Sequence, residues 1–391
     1  MTRRHLLLGM PAFLQNRRQR IIILMVDGLG ADYIAASRMP VLTAWQRKGI
    51  SKIVNGVMPS VTNANNTSIC CGVWPETHGI TANFYLDEAT GRPEYMESAS
   101  LVLAPTLFEK ARAAGVTSAL LSSKKKTVSL LPRGASLVLS AEIPAPEWLE
   151  RIGKAPDIYS GEINHWLLRA AAWILRHQPD VGVLYIHTTD YPMHMWPPEA
   201  EPSQRHLAAF DSLLGELATA APDAAILLTA DHGMHHKSRC WDLTKACAAR
   251  GVALRAAISA EQDKYLKHHS GYGGTAWVYL QSNRDADRAA AVIQKLAGVD
   301  EVLTRSEAAR RFRLMPARIG ELVVLGNRDT VFGNLDSESV DLPAAYRSHG
   351  SIAEARVPLL IHNAAKAPSA EFFENNLDLA RWLFPTRNTA L

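Results

Sequence analysis

Apolar residues in this chain gather in short unbroken runs that end at acids. Ile21-Ile22-Ile23-Leu24-Met25-Val26 stops at Asp27-Gly28, Val181 to Ile186 runs out toward Asp190, and Ala224 to Thr229 leads to Asp231. A continuous apolar run, rather than an alternating one, suits a strand whose two faces are both covered, as in a parallel sheet. The stretches Glu162 to Arg176 and Gln204 to Ala218 read as helices between these runs, and the alternation of strand and helix predicts an α/β sandwich. Ligands of open α/β sheets collect at the carboxyl ends of the strands. The three aspartates are therefore expected along one rim.

From about Cys240 to Tyr346 the strand-to-aspartate pattern stops. Trp277-Val278-Tyr279-Leu280 predicts a strand there and Asp285 to Leu296 a helix. This predicts an inserted cap or lid over 240–346, within a core made of 1–239 and 347–391, and Pro358-Leu359-Leu360-Ile361 reads as a returning core strand. No internal repeat or low-complexity segment interrupts the scheme.

Composition narrows the function classes. A chain of 391 residues, 47% hydrophobic and 20% charged, can bury a large core. With 42 basic against 38 acidic side chains and a formal net charge of +4, it lacks the basic excess of an electrostatic nucleic-acid binder; a small anionic substrate is the expected partner, and a homodimer stays open. No run approaches the ~20 apolar residues that span a bilayer. The apolar core of Arg3 to Leu14 is short for an export signal, and Arg17-Arg18-Gln19-Arg20 follows at once. Cys70, Cys71, Cys240 and Cys247 are expected to be reduced, in a cytoplasmic protein.

The candidate chemistry lies where the runs end. In Asp231-His232-Gly233 the glycine permits a sharp turn, so that acid and imidazole can reach one cation. The i, i+4 spacing of Asp190 and His194 puts both on one face of a helical turn, although an N-cap aspartate beside an exposed histidine would show the same spacing. His349, in Arg347-Ser348-His349-Gly350, and Asp27 complete a set large enough for two cations. Two ions about 3.5–4 Å apart stabilise the attacking and leaving atoms of an in-line displacement at phosphorus. The Asp/His mixture favours zinc, and manganese or iron also suits it.

Thr62 falls at the expected start of a helix, in Pro59-Ser60-Val61-Thr62-Asn63. A hydroxyl there lies near free backbone N–H groups, where metal contact can activate it as a nucleophile; an N-cap threonine is the plainer alternative. Lys124-Lys125-Lys126 follows the strand-like Ser118-Ala119-Leu120-Leu121, which brings cations toward the same rim, although a lysine run is commonly a solvated face.

Taken together, Val26-Asp27-Gly28, Pro59 to Asn63, Gly79-Ile80-Thr81-Ala82-Asn83-Phe84, Thr188-Thr189-Asp190-Tyr191 with His194, Ala230 to Met234 and Arg347 to Gly350 resemble the alkaline phosphatase superfamily. The resemblance is to its nucleotide pyrophosphatase/phosphodiesterase branch and, within that, to the phosphonoacetate hydrolases, and it covers nearly the whole chain. It implies a three-layer, alkaline-phosphatase-like sandwich with a mostly parallel central sheet and an inserted cap. It implies two zinc ions, one on Asp27, Thr62, Asp231 and His232, the other on Asp190, His194 and His349. Thr62 would be the nucleophile, Asn83 would hydrogen-bond a phosphoryl oxygen, and Lys124 and Lys126 would hold the carboxylate of a small phosphonate. The implied reaction is C–P cleavage of phosphonoacetate, or of a related carboxylated phosphonate, to phosphate and acetate through a phosphothreonine. The alternative is a phosphodiesterase or nucleotide pyrophosphatase acting on P–O bonds with the same metals. Lys125 departs from the pattern, which carries an acidic residue between its two lysines. His268 and His269 are further candidates from the cap.

Overall fold

A computed structural model describes residues 19–263, 267 and 270–385; Arg3 to Leu14, His268 and His269 lie outside the described residues. Seven strands form the central sheet: β1 (Ile21–Met25), β2 (Ile50–Asn55), β3 (Thr117–Ser122), β4 (Leu137–Ser140), β5 (Val181–His187), β6 (Ala225–Thr229) and β11 (Arg356–His362). Their order across the sheet is β2-β11-β6-β1-β5-β3-β4. All pairings are parallel except those of β11, which runs antiparallel to both β2 and β6. The expected mostly parallel α/β sheet is thus present. Its three apolar runs, β1, β5 and β6, are adjacent and buried throughout except for Gly182.

Helices cover the sheet because their apolar faces have nowhere else to go. The helix at Glu162–His177 and the one at Glu201–Ala220 pack on each other, burying Trp166, Leu167, Ile174, Phe210 and Leu214 in the core shared with the sheet. The helix α1 (Thr62–Cys71) is different in character. All ten of its residues are buried, polar ones included, so each side chain has to find a partner. Asn65 bonds the backbone of Val57 in both directions, Asn66 accepts from the Tyr185 hydroxyl at 2.5 Å, and the Asn63 amide donates to Asn83 Oδ1 at 3.0 Å.

Between β6 and β11 the chain builds a second, antiparallel sheet from β7 (Leu254–Ser259), β8 (Thr275–Leu280), β9 (Val299–Thr304) and β10 (Leu322–Gly326), in the order β7-β8-β10-β9. One face of it, with Trp277, Tyr279, Val323 and Leu325, packs on Val57, Val61 and Ala82 beside α1. The other face carries Ala276, Val278, Leu322 and Val324 against flanking helices. No helix among the described residues is long and apolar enough to cross a membrane. All four cysteines are free and buried.

A buried ion pair clips the two crossings between the sheets. Glu354 and Lys237 are fully buried. Glu354 Oε1 accepts from Lys237 Nζ at 2.9 Å and from His235 Nδ1 at 2.7 Å, while Oε2 accepts from the Ser351 amide and hydroxyl. The outgoing and returning segments also pair as a short ribbon, His235–His236 with Arg347–Ser348. Burial pushes the Glu354 carboxyl up, but Lys237 and His235 outweigh it and hold it at about 2. A depressed carboxyl contributes stability that is complete above its unfolded value of 4.5 and is lost as pH falls through 2. E354Q should therefore lower stability by about 3 kcal/mol at neutral pH. In acid-denaturation series the gap between wild type and variant should narrow steadily as the pH falls below 4.5.

Candidate metal centre

Asp27 follows β1, Asp190 follows β5 and Asp231 follows β6, so the parallel register of neighbouring strands delivers three carboxylates to one rim. All are buried. Backbone geometry permits the crowding at Gly28, whose φ of +73° favours glycine and whose missing Cβ would lie 2.9 Å from the Cβ of Asp190. The Gly28 and His232 amides both donate to Asp231 Oδ1, at 3.1 and 3.0 Å, and leave Asp231 Oδ2 without a hydrogen-bond partner. Asp27 Oδ1 is likewise without one.

Three imidazoles face these acids, each anchored in the same way. His194 Nδ1 lies 2.9 Å from the Arg347 carbonyl, His232 Nδ1 2.9 Å from that of Gly233, and His349 Nδ1 2.8 Å from that of Ser60. A carbonyl only accepts, so each Nδ1 carries a proton; His232 and His349 then present the Nε2 lone pair, whereas burial is outweighed at His194 by Asp190, which raises that imidazole and takes its Nε2 proton until a cation replaces it. The contact at Nδ1 is the usual device for orienting a metal-binding histidine. His194 Nε2 is 2.9 Å from Asp190 Oδ2, and the short helix Tyr191–Met195 realises the expected i, i+4 pair. His232 Nε2 lies 3.4 Å from Asp27 Oδ1 and 3.3 Å from Asp231 Oδ2, and the rings of His232 and His349 stack at 3.5 Å.

Potential donor atoms converge in two groups, Asp27 with Asp231 and His232, and Asp190 with His232 and His349, each within 4.8 Å. The unsatisfied carboxylate oxygens and the oriented lone pairs fit divalent cations. The resemblance assigned His232 to one cation set alone; the geometry brings it near both groups. Charge states follow from crowding. Burial and the neighbouring Asp27 push the Asp231 carboxyl well up. Burial, with His349 beside one and His194 beside the other, lowers His232 and His349 to about 4. Both are thus neutral at physiological pH, as ligation requires.

Thr62 opens α1, with Oγ1 3.4 Å from His232 Nε2. Asn83 sits beside it with its amide direction fixed, because Oδ1 takes the Asn63 N–H and leaves Nδ2 pointing into the site. Lys124 caps the helix Lys125–Leu130 beyond β3 and reaches the same rim. Its Nζ lies 2.6 Å from Asp27 Oδ2 and 2.7 Å from Asp190 Oδ1, and so bridges the two acidic groups. Lys126 is buried, while Lys125 points outward.

Three further residues enter the site that the sequence pattern did not single out. His187, the last residue of β5, accepts at Nδ1 from Ser122 Oγ (2.9 Å), which itself takes the Lys124 amide, and so turns its Nε2 proton to Asp27 Oδ2 (3.2 Å). Glu261 and Asp263 follow β7. Glu261 Oε2 accepts from Asn83 Nδ2 at 2.9 Å, Oε1 lies 3.2 Å from His349 Nε2, and Asp263 pairs with Lys126. The strand-to-acid pattern therefore continues into the second sheet, contrary to the expectation that it stops at about Cys240. Burial pushes the Glu261 carboxyl up to about 8, against the pull of Lys126 and His232.

Comparison with known proteins is consistent with this geometry. The model of the family described as type I phosphodiesterase / nucleotide pyrophosphatase matches residues 21–352. The mouse bis(5'-adenosyl)-triphosphatase enpp4 is 26% identical over 232 residues, 56% of this chain and 48% of that protein, and its human counterpart 24% over 225 residues, 55% and 47%. The chain thus spans about half the length of the curated relatives it matches. Phosphonoacetate hydrolase from Sinorhizobium meliloti 1021, solved with phosphonoformate and with phosphonoacetate, superposes at a TM-score of 0.84 with 28% identity, covering 94% of this chain and 95% of that one. Human ectonucleotide pyrophosphatase / phosphodiesterase 5 superposes at 0.68 with 16% identity over 93% and 94%, a likeness of fold.

Removing cations from such a site exposes its repulsion. In metal-free protein D231N should be at least as thermostable as wild type, because it deletes a carboxylate that burial and Asp27 disfavour. After zinc is added the order should reverse, since only wild type gains binding energy in the folded state. Scanning calorimetry with and without chelator reads both, and elemental analysis should find about two ions per wild-type chain.

Proposed function

The chain belongs to the type I phosphodiesterase / nucleotide pyrophosphatase family, and from that premise we propose that it is a metal-dependent hydrolase that cleaves the C–P bond of a small carboxylated phosphonate. The observation that carries this reading is the lysine pair. Half-buried Lys124 and buried Lys126 bring two cations to the rim that holds the acids and imidazoles, where a phosphodiester needs none. The likeness to the Sinorhizobium enzyme supports it. The division into a core of 1–239 and 347–391 with a cap of 240–346 belongs to the same proposal, as does a cytoplasmic location.

In this reading Asp27, Thr62, Asp231 and His232 hold one divalent cation and Asp190, His194 and His349 the other, zinc being the best match to the donors. Such cations supply Lewis acidity toward phosphoryl oxygens and lower the pKa of a nearby hydroxyl. Thr62, at the positive end of α1, attacks phosphorus as nucleophile. Asn83 donates an N–H to a phosphoryl oxygen as negative charge builds there. Lys124 and Lys126 hold the carboxylate. The bond to carbon is the hard one to break, because its electron pair must leave on carbon. The carboxylate spreads that charge in enolate fashion, and an ammonium at its oxygens stabilises the charge where it develops. Water then releases phosphate from the threonine.

A second reading, hydrolysis of nucleotide P–O bonds, is favoured by the family and by the triphosphatase relatives. A phosphate-release assay separates the two. Phosphonoacetate should yield phosphate and acetate, and K126A should lower kcat/KM on it about 100-fold, as expected for losing a charge-assisted contact. Hydrolysis of an aryl phosphate ester should fall far less. Intact phosphonoacetate alongside rapid turnover of nucleotide diesters would make the P–O reading the correct one.

A further inference from the structure

Acids of this chain already engage the groups assigned above to the substrate's two ends. β7 ends in a tight turn, where the Gln262 amide donates to the Ser259 carbonyl at 3.3 Å and the Ala260 carbonyl accepts from the Asn83 amide at 2.9 Å. These bonds fix Glu261 opposite Asn83. Gly273 leaves its side chain room, since a Cβ on that glycine would lie 2.5 Å from the Glu261 Cβ. Asn83 Nδ2 then donates to Glu261 twice, to Oε2 at 2.9 Å and to the backbone carbonyl at 3.4 Å. A primary amide has two N–H bonds, so neither is left for a phosphoryl oxygen while Glu261 stays in place. Glu261 Oε1 lies 3.2 Å from His349 Nε2, which sets the carboxyl at the rim where a phosphoryl oxygen would lie.

The other end is engaged in the same way. Lys126 is buried, and a buried ammonium without an anion is costly. Asp263, two residues beyond Glu261, supplies that anion. Lys124 gives two of its three protons to Asp27 and Asp190. A substrate carboxylate therefore meets Asp263 as a rival of the same charge at Lys126, just as a phosphoryl group meets the Glu261 carboxyl at Asn83.

Resting on the C–P reading above, we propose that Glu261 and Asp263 form an internal stand-in for the substrate, an autoinhibitory contact in which the first takes the phosphoryl place at Asn83 and the second the carboxylate place at Lys126. The contact discriminates the joined substrate from its separated parts. A molecule carrying both anionic groups displaces both acids while its translational freedom is lost only once, so the second displacement is intramolecular. Phosphate and acetate, once parted, each face one returning acid alone. The same two side chains that weaken substrate binding thus expel the products.

The test uses metal-loaded wild type, E261A, E261Q, D263N and D263E. It measures inhibition of aryl phosphate ester hydrolysis by inorganic phosphate and by phosphonoacetate, with calorimetric titration of phosphate as a readout free of turnover. E261A should bind both ligands about tenfold more tightly, the weight of one hydrogen bond to a charged group. E261Q should gain less, because its amide carbonyl can still accept from Asn83. D263N should bind phosphonoacetate about tenfold more tightly and phosphate less than twofold, with the gain in cleavage falling in KM, and D263E should gain less than D263N. E261S, equally too short to reach Asn83, takes the place of E261A if that variant does not fold. If E261A gains nothing on phosphate and D263N nothing on phosphonoacetate, the stand-in is disproved, whether or not phosphonoacetate is cleaved. An equal gain of D263N on both ligands also overturns it, since that marks a general effect of charge. If the affinities shift as expected while phosphonoacetate stays intact, the stand-in holds and the C–P reading falls.

Discussion

Three carboxylates buried on adjacent strand ends repel one another, and much of this molecule is arranged so that they can stay there. The sheet brings Asp27, Asp190 and Asp231 together because β1 lies between β5 and β6 in parallel register. Backbone amides absorb part of the charge on Asp231, Lys124 bridges Asp27 to Asp190, and the proton of His187 Nε2 turns to Asp27. Even so, the Asp231 carboxyl is pushed well above its ordinary value, while burial and Asp190 fail to raise Asp27 against Lys124 and His187. One carboxylate holds its charge at the expense of the other. This is the imbalance that a multivalent cation removes.

Much of that arrangement was legible in the sequence because it rests on local signals. Unbroken apolar runs marked β1, β5 and β6, and their ends marked the three acids. The i, i+4 spacing marked His194, and the polar turn opening onto a helix-compatible segment marked Thr62. Each of these depends on a few neighbouring residues. The interior place of β11, antiparallel between two parallel neighbours, depends on how the chain returns after more than a hundred residues and leaves no local trace. Lys124 was expected at a substrate carboxylate, but only the assembled rim shows that its nearest anions belong to the protein itself.

Glu261 and His187 were missed for opposite reasons. β7 has half-exposed residues at Ala256 and Ala257 and an exposed Arg255, so its run Leu254 to Ser259 lacks the solid apolar signature that identified the central strands. An acid just after a half-covered strand looks like any surface acid. His187 belongs to a run that is solidly apolar, and it was read past as the strand's last residue. Its meaning comes from Ser122 and Asp27, residues 65 and 160 positions away. His349 shows the intermediate case, since the histidine was noticed but its tautomer depends on the Ser60 carbonyl, 289 positions distant.

The two sheets therefore divide the chemistry by the kind of constraint each can impose. Parallel strands fix acids at one height to within the register of the ladder, which suits ions that tolerate little misplacement. The antiparallel sheet joins the rest through the packing of Trp277 and Tyr279 near α1, and through the clip of Glu354 with Lys237. From that base it extends Glu261 to Asn83 and His349, and Asp263 to Lys126. The second sheet thus supplies acids to side chains around the rim, while the three strand-end aspartates come from the first.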